Sequence, residues 1–170
     1  MAATVTIREV TGGTTGTEAA SGITSRFCLA DNAVPGTTYP IIKPTGTNVT
    51  YSYKKSFVLF ADTAPTTAIN NVKWYVPGGG FWDVAHQVYV STATAYSQST
   101  GTQSVSGALM TPSGDLASGF VSASMLTVGG SGSAATGRCS NILQLQLHIT
   151  SGASPGTQAA KTLTWQYDET

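Results

Sequence analysis

At 170 residues the chain has the length of one domain and can bury about two thirds of its unfolded surface without a metal or disulfide staple. Its eight basic and eight acidic residues cancel, and no basic cluster is longer than Lys54-Lys55, so the positive footprint that nucleic-acid binding demands is missing. Charged residues make up 9% against a usual value of about 25%, Ser and Thr supply about a quarter of the chain, and no stretch approaches the roughly 18 apolar residues of a membrane span; the expected partners therefore include neither nucleic acid nor membrane.

The 41% of hydrophobic residues fall in strongly patterned runs, which argues for a packed core and against disorder. Met1 to Thr6 enters a strand pattern at once, with neither a basic n-region nor an apolar h-region. The chain is expected to be soluble and made in the cytoplasm.

Taken in order, Thr4 to Val10 sets Val5 and Ile7 against Thr6 and Arg8, a first short strand. From Thr11 to Gly22 there is no large apolar residue. Such a stretch cannot offset its ordering entropy by burial, so it reads as a mobile loop or an arm ordered against a neighbour. The expected division is an N-terminal strand and flexible arm over 1–22 and a sandwich domain over 23–170. Ile23 to Leu29 reads as a second strand, with Ser25, Phe27 and Leu29 on one face and Arg26 and Cys28 on the other. Pro35, Pro40 and Pro44 then break the chain into edge strand or loop.

In Val49 to Asp62, Tyr51, Tyr53, Phe57 and Leu59 share one parity and Val58 and Phe60 the other. Ser56 to Ala61 is thus apolar on both faces and belongs in the middle of a sandwich or under a partner subunit. Val72, Trp74 and Val76 share one face of a further strand, which Pro77-Gly78-Gly79-Gly80 stops. Phe81-Trp82-Asp83 then places two large aromatics at the tip of a glycine-rich loop, where they either stack on sugars, anchor a protein interface, or fold back over the sandwich end. The next strand, to Val90, points Val84, His86, Val88 and Val90 one way and Gln87 and Tyr89 the other. Ser91 to Ser118 carries one or two edge strands, and Phe120 to Val128 two short strands or one bent one.

The clearest period-two pattern comes last. Leu143, Leu145, Leu147 and Ile149 alternate with Gln144, Gln146 and His148, and after a turn cluster Thr162 to Tyr167 repeats the alternation; the two read as a pair of half-buried strands. The tally is nine to eleven short strands and no helix: an all-β, antiparallel β-sandwich of jelly-roll or Ig-like topology.

Residues able to carry chemistry are few. There is no Gly-x-Ser-x-Gly elbow and no phosphate loop. His148 lies on what reads as a polar sheet face. His86 follows Asp83 by three residues, which in a strand places them on opposite faces and argues against a shared metal. Asp62, Asp83, Asp115, Asp168 and Glu169 fall in or beside turns, where Asp commonly binds backbone. Asn48-Val49-Thr50 matches a glycosylation sequon, read here as chance. Cys28 and Cys139 fit no zinc or redox spacing; they read as two buried small hydrophobes, with one long-range disulfide as the alternative. Cys28, Trp74 and Cys139 come in immunoglobulin order, but the Cys-to-Trp interval is too long for that pattern. No catalytic, cofactor or metal residues are expected, and no enzyme.

A Thr/Gly-rich all-β chain of this size that ends in Ala159-Ala160-Lys161-Thr162-Leu163-Thr164-Trp165-Gln166-Tyr167-Asp168-Glu169 resembles the small structural proteins of tailed bacteriophage virions, head decoration or cement proteins above all. The resemblance implies a homo-oligomer, often a trimer, on the outer capsid surface, clamping the major capsid protein. The first strand and its tether, the Ser56 to Ala61 block and the Phe81-Trp82 tip are the expected contacts. The alternative is a carbohydrate- or receptor-binding sandwich module of a phage tail or fibre, taking a glycan on Trp82, Phe81 and Tyr89.

Overall fold

The computed structural model describes residues 2–19, 25–77, 85–99, 101–102, 105, 108–110, 120, 122–130 and 134–170. Among them are eleven strands and no helix: β1 (Val5–Thr11), β2 (Thr17–Ala19), β3 (Val49–Tyr51), β4 (Lys55–Ala61), β5 (Ile69–Tyr75), β6 (His86–Ala93), β7 (Ala108–Met110), β8 (Leu126–Thr127), β9 (Gly137–Arg138), β10 (Ile142–Thr150) and β11 (Thr164–Glu169). The large sheet runs β2-β1-β4-β10-β6-β7, with β3 also on β10 and β9 on β4; the small sheet runs β11-β5-β8. Every strand pair is antiparallel. The protein is an all-β, two-sheet sandwich.

Alternation decides which side chains enter the space between the sheets. Phe57 and Leu59 of β4, Val88 and Val90 of β6, and Leu143, Leu145, Leu147 and Ile149 of β10 face inward and meet Ile69, Val72 and Trp74 of β5 in one buried cluster. That is the face expected for Val72, Trp74 and Val76 and for His86, Val88 and Val90. β4 is buried on both sides because β1 and β10 flank it and its second face, through Val58, joins Val10 and Ile142 under Tyr96. The double apolarity of Ser56 to Ala61 is thus used up within the chain, which removes this block as a contact surface.

Several local expectations are corrected. β10 and β11 are consecutive but not a pair: β10 is central in the large sheet, whereas β11 crosses to the small sheet and pairs β5. Nor is β10 half-buried, since Gln144 and Gln146 are buried along with the leucines. The described part of the expected second strand, Ser25 to Leu29, forms no strand; isolated bonds, Leu29 N–H to Tyr39 O and Tyr53 N–H to Cys28 O, tie it down instead. The stretch after Thr11 turns through Gly12, Gly13 and Gly16, all at positive φ, into β2, which pairs back on β1. Gly16 is needed there: a Cβ would come within 2.5 Å of Val10 Cγ1 and 2.8 Å of the Tyr96 ring. β1 itself pairs with β4 from Val5 to Val10, so it is an interior strand of the sheet.

The register along β10 contains one irregularity with consequences. Tyr51 pairs with His148 and Lys55 with Leu145, so residues 52–54 oppose only Gln146 and Leu147. The extra residue is a β-bulge, held by Ser52 N–H to Leu147 O at 2.9 Å and Leu147 N–H to Ser52 Oγ at 3.0 Å. It reverses the alternation, so Tyr51 and Phe57 lie on opposite faces despite their shared parity.

Candidate functional site

The two sheets differ in width. With strands about 4.8 Å apart, three strands span about 10 Å and the six of the main path about 24 Å, so the small sheet cannot cover the whole inner face of the large one. Over one end of β4, β6 and β10 the cover comes from loops around residues 25–27, 40–43 and 153–161, and a cavity of about 710 Å³ remains beneath them. Its floor is apolar, with Phe57, Leu147 and Ile149, but it also includes Lys55 and His86.

Lys55 lies on the inward face because it pairs with Leu145 across the ladder. Its Nζ donates to Glu9 Oε1 at 2.9 Å and to Asn32 O at 2.7 Å, and both partners of the ion pair are almost wholly buried. Burial raises the Glu9 carboxyl above its ordinary range by more than the facing Lys55 ammonium lowers it. Glu9 Oε2 is buried without a hydrogen bond, although the Ser25 hydroxyl is near enough to favour its charge. Sequence reading missed this pair because neither residue has a neighbour in the chain that announces it.

His86 is buried and inward-facing. Asp83, Phe81, Trp82 and Asp115 lie outside the described residues. His148 stands on the opposite, outer face. Its ring stacks on Tyr51 with centroids 5.1 Å apart and planes at 20°, lies 5.9 Å from Tyr89, and places Nδ1 2.9 Å from Gln87 Oε1. Partial burial lowers its pKa. The reversed alternation at the bulge is what brings Tyr51 to this cluster. The two histidines therefore occupy opposite faces and share no site.

The other candidates are structural. Cys28 and Cys139 are both buried and unpaired with each other; their thiols donate to Ala30 O at 3.3 Å and Leu59 O at 3.2 Å, and burial pushes the Cys139 thiol up to about 11. Asp62 takes Arg8 at 2.5 Å, whose guanidinium lies 3.3 Å from the Phe60 ring centre. Asp168 accepts from Asn71 Nδ2 at 2.9 Å, and Glu169 from Ala3 N–H at 2.8 Å. Asp31 accepts from Gly12 N–H at 2.9 Å and from the Tyr96 hydroxyl, fixing the β1–β2 turn. Among the described residues, no three His, Cys, Asp or Glu side chains are grouped to hold a metal ion, and no helix is long and apolar enough to cross a membrane.

A last feature is on the surface. Val34, Tyr39 and Ile42, in the irregular segment between Leu29 and β3, are 53%, 51% and 71% exposed, and Val49, which opens β3, is 42% exposed. Tyr39 adopts φ 59°, the left-handed region that bulky residues rarely occupy. In comparisons with known proteins, no family model, no curated protein and no solved structure matched the chain.

Proposed function

We propose that this chain is a non-enzymatic structural protein of a virion, a capsid decoration or cement subunit that works by burying apolar surface against the shell and against its own copies. The observation that carries the reading is the run of exposed apolar side chains on residues 34–49. Single exposed apolar residues are ordinary, but four within sixteen residues of a neutral surface suit an interface core, which is depleted in charge. The hydroxyl-rich texture and the Leu163 to Glu169 ending favour a phage head as the assembly. The expected partners are the major capsid protein and further copies of the chain, with a trimer favoured.

Light scattering of the purified protein, followed by co-sedimentation with empty heads of a phage encoding it, tests the proposal. Binding to heads is expected, and Tyr39→Asp and Ile42→Asp are each expected to weaken it about tenfold or more. A strict monomer that leaves the heads in the supernatant overturns it.

The half-buried Tyr51–Tyr89–His148 cluster favours a second reading, a glycan-binding module of a tail or fibre, because aromatic faces beside amide groups suit sugars. Saturable glycan-array binding that disappears in Tyr89→Ala would select this reading over the first.

A further inference from the structure

The cavity under the loops has an uneven distribution of charge. Four of the eight Lys and Arg residues of the chain line it, namely Arg26, Lys43, Lys55 and Lys161, and none of its described lining residues is acidic. Lys55 is already neutralised by Glu9. Lys43 and Lys161 are exposed, which places them at the mouth, while Arg26 is half-buried and gives one guanidinium N–H, on Nη2, to Thr38 O. The apolar floor of Phe57, Leu147 and Ile149 lies beneath this cationic rim.

From this arrangement we infer that the cavity is a binding site for an anionic amphiphile, a long-chain carboxylate whose hydrocarbon tail lies on the sheet and whose head group meets Arg26, Lys43 and Lys161. The volume of about 710 Å³ lies within the roughly 300–1,000 Å³ typical of small-molecule sites, which are likewise apolar with a few fixed polar groups. A carboxylate at the mouth would also meet the exposed Lys43 and Lys161 ammonium groups in charge-assisted hydrogen bonds. The inference is independent of capsid docking, since the floor belongs to the sandwich interior.

The test is fluorescence titration with cis-parinarate, a conjugated eighteen-carbon fatty acid, beside its methyl ester, which keeps the tail and loses the charge. Saturable binding of one acid per chain is expected, with the ester about tenfold weaker or more. Lys43→Gln combined with Lys161→Gln, two exposed changes that spare the core, is expected to weaken the acid about three- to tenfold and leave the ester unchanged. Added dodecyltrimethylammonium, a cationic amphiphile, is expected to compete poorly. Equal affinity for acid and ester, an unaffected double variant, efficient competition by the cation, or no saturable signal overturns the inference.

Discussion

The two faces of β10 are both buried by different means. Inward, Leu143, Leu145, Leu147 and Ile149 pack against the small sheet and loops and are held by the removal of apolar area from water. Outward, Gln144 and Gln146 are covered too, but by hydrogen bonds. The Gln146 amide donates to Ser52 O and to Thr102 O, both at 2.8 Å, and its carbonyl accepts from Val105 N–H at 3.2 Å, so one side chain ties Thr102 and Val105 to the sheet. Alternation of polarity therefore reports which face a residue joins. Whether that face sees water is a separate matter, decided by what else the chain lays across it.

The strongest way to break the comparison is to disturb the exception on the inner face. Lys55→Met leaves Glu9 buried without its cation and is expected to cost about 3–5 kcal/mol, whereas Glu9→Leu combined with Lys55→Met is expected to be neutral or stabilising; urea denaturation of both variants measures this. The pH dependence follows from the raised Glu9 pKa. The folded chain keeps a proton that the unfolded chain has already released, so this contribution is full below the ordinary carboxylate pKa and is lost as pH rises through the higher folded value. The double variant is expected to lack that loss.

Next, Leu145→Ala opens a cavity in the apolar layer and is expected to cost about 2–5 kcal/mol by the same measurement. Gln146→Leu sharpens the contrast, because it makes the outer face more apolar yet removes the bonds that Gln146 makes to the Ser52 and Thr102 carbonyls and the Val105 N–H. A loss of about 1–3 kcal/mol is expected, together with faster amide exchange at Val105; a gain in stability would show that hydrophobicity governs both faces. The smallest effect concerns His148. Its pKa is lowered by burial, so its contribution to stability is present above the unfolded histidine pKa and is lost as pH falls. In His148→Gln the change in thermal midpoint between pH 8 and pH 5 is expected to shrink.

Much of the fold was legible because period-two patterns survive wherever a strand runs straight: Val72, Trp74 and Val76, then His86, Val88 and Val90, then the leucines of β10 all lie as their spacing says. The legible parts end where one residue changes the count. The bulge over residues 52–54 moved Tyr51 to the outer face, and nothing in Ser52-Tyr53-Lys54 signals it, because the extra residue is defined only by what β10 places opposite. Ser25 to Leu29 alternates well enough for a strand but forms none, and is tied instead by bonds such as Leu29 N–H to Tyr39 O and Tyr53 N–H to Cys28 O. The Glu9–Lys55 pair and the cationic mouth of the cavity join residues from distant stretches, and pairings of that kind are fixed by topology.

The buried ion pair also sets a condition on which strand can lie beside β4. Were β1 displaced by its counterpart from some unrelated protein, or slipped so that Glu9 stood opposite Leu59 instead of Phe57, an ammonium group deep in the sandwich would lose its counter-charge, a penalty of several kcal/mol. Only a segment bringing a carboxylate to the same height fits, so two opposite charges act as a password for self-recognition at that seam.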